Sequence, residues 1–211
     1  MVIFIDKKGV FILLNTKKRV SMIKYIPILE LPLLIIMVLI RSAMLRRRGI
    51  KAIVFGVTDK TDYFLVPVIL LFFYALLSTF ISLPFPKVLI KSFFEMNVLF
   101  IISIAVCAIS LLWFGITLKV FGKSFRVGID ENTSDNLITS GTFAISRNPI
   151  YLGFITFFIG IFIAYSNITT LIFLMFLIIM MHRQIIREEV FLKAHYGNEY
   201  EEYCKKVRRY L

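Results

Sequence analysis

Residues 148–182 read NPIYLGFITFFIGIFIAYSNITTLIFLMFLIIMMH, 35 consecutive positions without Lys, Arg, Asp or Glu. A helix crosses the hydrocarbon core of a bilayer in about 20 residues. At about 1.5 Å per residue, one helix of this length would run to about 52 Å. The run is too long for a single span, and its polar interruption, Tyr165-Ser166-Asn167-Ile168-Thr169-Thr170, falls near the middle. The stretch therefore predicts two membrane helices joined by a tight turn.

Moving outward, two further charge-free runs are each the length of one span, residues 63–83 and residues 96–118. A weaker fifth candidate, residues 25–40, is short and carries Pro27, Glu30 and Pro32, as a kinked helix shielded by its neighbours can. Before it, the apolar residues 2–5 and 10–14 flank Asp6-Lys7-Lys8-Gly9, which reads as a small hairpin or an interfacial segment. The same charges break the first apolar stretch and no small-residue cleavage site follows, which argues against a cleaved signal peptide. The expected fold class is all-α: a polytopic transmembrane helix bundle of about five spans, with further helices at the C-terminus.

Composition agrees. Of 211 residues, 59% are hydrophobic and 18% charged, and the mean hydropathy is +0.85. An ordinary soluble domain is about 45–50% apolar and about 25% charged, so a soluble globule and a disordered chain are both excluded. The 25 Lys+Arg against 13 Asp+Glu give a net charge of +12. In so apolar a chain this excess points to the positive-inside bias rather than to nucleic acid. With residues 41–62, 119–147 and 183–211 on one side of the membrane, that side holds 17 basic residues against 8 on the other. This predicts a multi-pass protein of the cell membrane with a cytoplasmic C-terminal tail. The six basic residues of the N-terminus lie on the opposite side in this arrangement and leave its placement open. Cys107 lies in an apolar run and Cys204 near the C-terminus, so neither a disulfide framework nor a thiolate metal site is expected. His182 and His195 stand thirteen apart, where a helical metal site uses i,i+3 or i,i+4, so no metal is expected.

Polar residues gather beside the spans in two places. One is the segment 119–148, which ends Leu137-Ile138-Thr139-Ser140-Gly141-Thr142-Phe143-Ala144-Ile145-Ser146-Arg147-Asn148. Asn148 suits a helix N-cap and Pro149 the first helical turn. With Arg147 alongside, the positive end of the helix is either a seat for a carboxylate or phosphate, or a capped end whose arginine meets lipid headgroups. The other place is the tail from His182, which reads as a helix extending beyond the last span to a stop at Gly197, then a second short helix. Glu189 faces Lys193 at i,i+4, so a surface ion pair accounts for it. Glu188 has Ile185 and Leu192 as helix neighbours, and its carboxylate requires a partner: a ligand or Arg147 on one reading, Arg187 or lipid headgroups on the other. Tyr196, Tyr200 and Tyr203 read as packing or interfacial residues.

Taken in series, these segments resemble the isoprenylcysteine carboxyl methyltransferase and phospholipid methyltransferase superfamily. The carrying residues are Leu137-Ile138-Thr139-Ser140-Gly141-Thr142-Phe143, then Arg147-Asn148-Pro149-Ile150-Tyr151-Leu152-Gly153, then Glu188-Glu189, then Tyr196-Gly197-Asn198-Glu199-Tyr200-Glu201-Glu202-Tyr203. The resemblance implies S-adenosylmethionine as cofactor, held at the cytoplasmic face by Leu137, Ile138, Phe143, Asn148, Pro149, Ile150, Tyr151 and Glu188. Arg147 and Glu189 are the candidate catalytic residues. It also implies residues 1–118 as the N-terminal membrane spans, and residues 119–211 as the cofactor-binding loop, helical hairpin and C-terminal helices of one structural unit. The chain departs from the family pattern at three positions: Asp135 and Asn148 stand where the family has histidines, and Gln184 where the prenylcysteine enzymes have an arginine. The activity implied is methyl transfer to a lipophilic acceptor, the carboxylate of a prenylated thiol compound or a lipid amine. Two other readings stand beside it: a membrane sterol reductase using NADPH, whose C-terminal pattern is similar, and a non-catalytic scaffold of the same fold.

Overall fold

The computed structural model describes residues 22–47, 65–81, 83–94, 96–121 and 137–211. Five apolar helices stand where the sequence predicts spans, four of them on the charge-free runs and the first on residues 25–40: α1 (Ile26–Arg46), α2 (Leu65–Ser78), α3 (Asn97–Phe121), α4 (Pro149–Ala164) and α5 (Ile168–Tyr196), followed by a short polar helix, α6 (Asn198–Lys206). No strand occurs among the described residues. The expected hairpin or interfacial segment before residue 22, residues 122–128, and Asp135 lie outside them.

Three of the helices, α1, α3 and α5, are long and apolar enough to cross a membrane. The other two are shorter. α2 has 14 residues and α4 has 16, so each rises only about 21–24 Å against a hydrocarbon core of about 30 Å. The charge-free run 63–83 is thus not a helix throughout. The hydroxyls of Ser78 and Thr79 bond back to the Ala75 carbonyl at 2.6 and 3.3 Å, and the chain then turns toward Pro84 and Pro86. α1 is longer than the run that predicts it; Pro32 sits inside it and Arg46 in its last turn.

The hairpin of α4 and α5 organises the bundle. Its turn is closed by a capping box: the Asn167 side chain accepts from the Thr170 N–H at 2.9 Å, and the Thr170 hydroxyl accepts from the Asn167 N–H at 3.2 Å. α3 lies close against α4. A Cβ on Gly160 would come within 2.5 Å of Cys107 Sγ, so only glycine permits this approach, as small residues do at membrane helix contacts. Trp113 Nε1 donates to the Pro149 carbonyl at 2.8 Å and fixes the start of α4. Phe114, Phe157, Ile161, Leu31, Leu34, Phe72 and Phe173 fill the core, with the Phe72 and Phe173 rings stacked at 3.8 Å between centroids. Leu29, Leu70, Leu112 and Ile172 are each more than 60% exposed. In water such residues would be a liability; in a bilayer they are the lipid-facing surface.

Candidate functional site at the C-terminal end of the bundle

Three segments meet where α4 begins. The first is the 3-10 turn Gly141–Ala144 with the residues that follow it. The second is the end of α5, one continuous helix of 29 residues, about 43 Å long, which outruns the bilayer. The third is α6 with the C-terminal residues beyond it. Gly197 joins α5 to α6 at φ +52°, a left-handed backbone that glycine adopts without strain, and so turns α6 back over the end of the bundle. Tyr203 on α6 donates to the Phe143 carbonyl at 2.6 Å. The Arg147 N–H donates to the Arg208 carbonyl at 3.0 Å, and Tyr210 Oη lies 2.7 Å from His182 Nδ1. Residues 207–211 thus form a strap across the site.

Glu189 is the hub of this region, and here the structure corrects the expected pairing. Its carboxylate does not pair with Lys193. Oε1 meets Arg147 Nη2 at 3.2 Å and the Asn148 side-chain amide at 3.3 Å. Oε2 accepts from Arg209 Nε at 3.0 Å and Nη2 at 2.8 Å. Lys193 pairs instead with Glu201 of α6 at 2.9 Å. Glu189 and Arg147 are only 12% and 13% exposed, so this is a shielded, charge-assisted network rather than a surface pair. Asn148 occupies the N-cap position without capping; its side chain bonds to Glu189 and, at 3.2 Å, to the Arg209 carbonyl.

Glu188 points elsewhere, between α4 and α5. It accepts from Tyr151 Oη at 2.5 Å and from Gln184 Nε2 at 3.0 Å, with the Arg187 charge close by. Its partners are therefore Tyr151, Gln184 and the neighbouring Arg187, and Arg147 is not among them. The two adjacent glutamates serve separate polar clusters.

A groove of about 440 Å³ opens over the hub, lined by Arg147, Glu189, Lys193, Tyr200, Glu201 and Arg209 among others. Of the residues singled out in the sequence, Arg147 and Glu189 line it and Asn148 bonds to its wall. Tyr151 and Glu188 lie in the inner cluster. Phe143 and Pro149 are buried and anchored through their carbonyls, and Ile150 packs on the core. Leu137 and Ile138 are half-buried ahead of the 3-10 turn and do not line the groove. Arg209 and Tyr200 are groove residues that sequence reasoning missed. The basic C-terminus marked Arg209 as one of several cations, and only the fold brings it to Glu189.

Burial pushes the Tyr200 and Tyr203 hydroxyls well above the ordinary tyrosine value, the Glu189 charge adding to the effect at Tyr200, so both stay neutral. The hydrogen bond to Glu189 raises Arg209 further, and the bond from Lys193 lowers the Glu201 carboxyl. Among the described residues, no group of His, Cys, Asp and Glu is placed to hold a metal ion. Three buried polar atoms in this region lack a hydrogen-bond partner among the described residues: Thr142 Oγ1, Arg147 Nε and Tyr200 Oη. Buried polar groups are rarely left so unless a ligand or water serves them.

The apolar helices and the polar groove at one end of them define a helical membrane protein with a ligand-sized site at the bundle's end. The profile of the phospholipid methyltransferase family matches residues 93–199, just over half of the chain, and the chain belongs to that family. It is similar to the protein-S-isoprenylcysteine O-methyltransferase of Schizosaccharomyces pombe, 35% identical over 89 residues that make up 41% of this chain and 38% of the relative. It is equally similar to the probable protein-S-isoprenylcysteine O-methyltransferases of Oryza sativa subsp. indica and subsp. japonica, at 35% over 89 residues and 47% of each relative. The chain thus spans less than half the length of the curated relatives it matches. No solved structure matches it.

Proposed function

We propose that this chain is a membrane methyltransferase that takes its methyl group from S-adenosylmethionine and passes it to a lipophilic acceptor, either the carboxylate of a prenylated thiol compound or a lipid amine. The observation that carries the proposal is the convergence of Arg147, Glu189, Tyr200 and Arg209 on one groove, with Asn148 bonded to its wall; Arg147, Asn148 and Glu189 lie within the segment that matches the family, and Tyr200 and Arg209 just beyond it. The donor set fits the cofactor. Its amino-acid end offers a carboxylate and an amine, and its ribose offers hydroxyls; the unpartnered Arg147 Nε and Tyr200 Oη offer hydrogen bonds in return.

When bound, S-adenosylmethionine supplies a methyl group activated by a sulfonium charge. The protein's share is positioning and exclusion of water. Arg147, Asn148 and Glu189 form the polar wall. Phe143, Pro149 and Ile150 are the apolar groups beside the start of α4, with Leu137 and Ile138 leading into the turn. Tyr151, Glu188 and Gln184 form a second polar patch between α4 and α5, toward which an acceptor could move sideways from the bilayer. A carboxylate acceptor requires no base, whereas a lipid amine must lose a proton to a group within about 3 Å. Glu189 already has both oxygens engaged, so Glu188 is the carboxylate of this pair placed toward an acceptor. In this scheme residues 119–211 carry the site on the cytoplasmic side together with the helical hairpin, and residues 1–118 supply the N-terminal membrane spans.

The test is a binding titration of purified protein in detergent with S-adenosylmethionine, S-adenosylhomocysteine and NADPH, using wild type and Arg147→Ala. The expected result is binding of the first two ligands, weakened in the variant. Binding of NADPH alone would place the protein with the reductases. No binding of any ligand by folded protein would leave a scaffold of the same fold.

A further inference from the structure

We infer that Arg209 is a positioning residue of the proposed cofactor site, holding Glu189 so that Arg147 keeps a hydrogen-bond donor for the carboxylate of the bound cofactor. The inference rests on the function proposed above and deepens it. Two guanidinium groups share one carboxylate. Arg209 takes Oε2 with both Nε and Nη2, which is the strong, two-point form of the contact. Arg147 is left with Oε1 alone, through Nη2, and shares that oxygen with Asn148. Arg147 lines the groove, and its Nε is left buried without a hydrogen-bond partner. The cluster of two guanidiniums and one carboxylate carries a net positive charge, suited to receiving a second carboxylate. Without Arg209, both oxygens of Glu189 are available to Arg147, whose fork would close on them and withdraw its donors from the groove. Arg209 is held at this position through its backbone: its own carbonyl accepts from Asn148 Nδ2 at 3.2 Å and from Ser146 Oγ at 3.3 Å, and the neighbouring Arg208 carbonyl accepts from the Arg147 N–H, while Tyr210 ties the outer end of the strap to His182.

The experiment compares two ligands in detergent-solubilised full-length protein: S-adenosylhomocysteine, which has the amino-acid end, and 5′-methylthioadenosine, which lacks it. Arg209→Ala should weaken S-adenosylhomocysteine about tenfold and 5′-methylthioadenosine by less than twofold. Arg209→Lys should recover part of the loss. Tyr210→Phe, which releases the strap's other anchor but keeps the guanidinium, should match wild type. Equal losses for both ligands, an equal loss in Tyr210→Phe, or unchanged binding in Arg209→Ala would each overturn the positioning role while leaving the methyltransferase reading intact. If Arg209→Ala does not fold, Arg209→Lys and Arg209→Gln decide by the same ligand comparison. Failure of wild type to bind either ligand would overturn both the functional reading and the inference built on it.

Discussion

The α4–α5 hairpin carries an asparagine at the N-cap of each of its helices, and the two are used in opposite ways. Asn167, at the closed turn, bonds within its own helix start and completes a capping box with Thr170. Asn148, at the open end, leaves the first turn of α4 uncapped and turns its amide to Glu189 and the Arg209 carbonyl. The closed end resolves its polar groups locally, over four residues. The open end resolves them across three segments separated by up to 63 positions. A local cap serves the helix alone; an amide spent on a distant carboxylate serves an assembled site. The difference separates the end that builds the bundle from the end that uses it.

The largest break in that contrast is Glu189→Ala. Removing one partner of a buried charge network costs about 3–5 kcal/mol. Arg209 is 37% exposed and can be partly rehydrated, so a loss of about 2–3 kcal/mol is expected, read as a fall in the thermal midpoint in detergent. Asn167→Ala should cost about 1 kcal/mol, the usual value of an N-cap, and should leave S-adenosylhomocysteine affinity unchanged. A clear change in that affinity would mean the closed turn is not purely architectural. Asn148→Ala should show the mirror image: a stability loss of about 0.5 kcal/mol, since its two bonds are long and no cap is lost, with ligand binding weakened several-fold. The smallest effect is expected from Glu201→Gln. Its pair with Lys193 lies at the surface, both side chains about half exposed or more, so no measurable shift in thermal midpoint should follow.

The legible part of the molecule is the part governed by local rules. The hairpin follows from a charge-free run with Asn167 in its middle, the α5–α6 junction from Gly197, and the extension of α5 past the membrane from the polar periodicity after His182. The need of Glu188 for a partner was also visible, although Tyr151 and Gln184 had to be brought to it by the helix register. Glu189 was misread because Lys193 is its neighbour at i+4, and helix geometry alone pairs them. The fold offers Glu189 two guanidiniums with directed N–H groups, while α6 offers Lys193 the Glu201 carboxylate. Tertiary partners outcompete a helix pair worth about 0.2–0.5 kcal/mol. The length of α2 escaped for a different reason: hydropathy records what can enter lipid, and it does not record where the chain leaves the helix, here in the turn after Ser78.

The continuity of α5 has a mechanical consequence. One uninterrupted rod runs from the capping box at Asn167 to Gly197, and both glutamates ride on its far arm. Pivoted at the turn, a rod of about 43 Å converts a change of tilt of about 5° into a displacement of about 4 Å at its tip. Membrane helices adjust tilt to bilayer thickness. A change in the tilt of α5 about that turn would therefore alter the spacing between Glu188, Glu189 and the start of α4 through leverage, with no lipid having to touch the site.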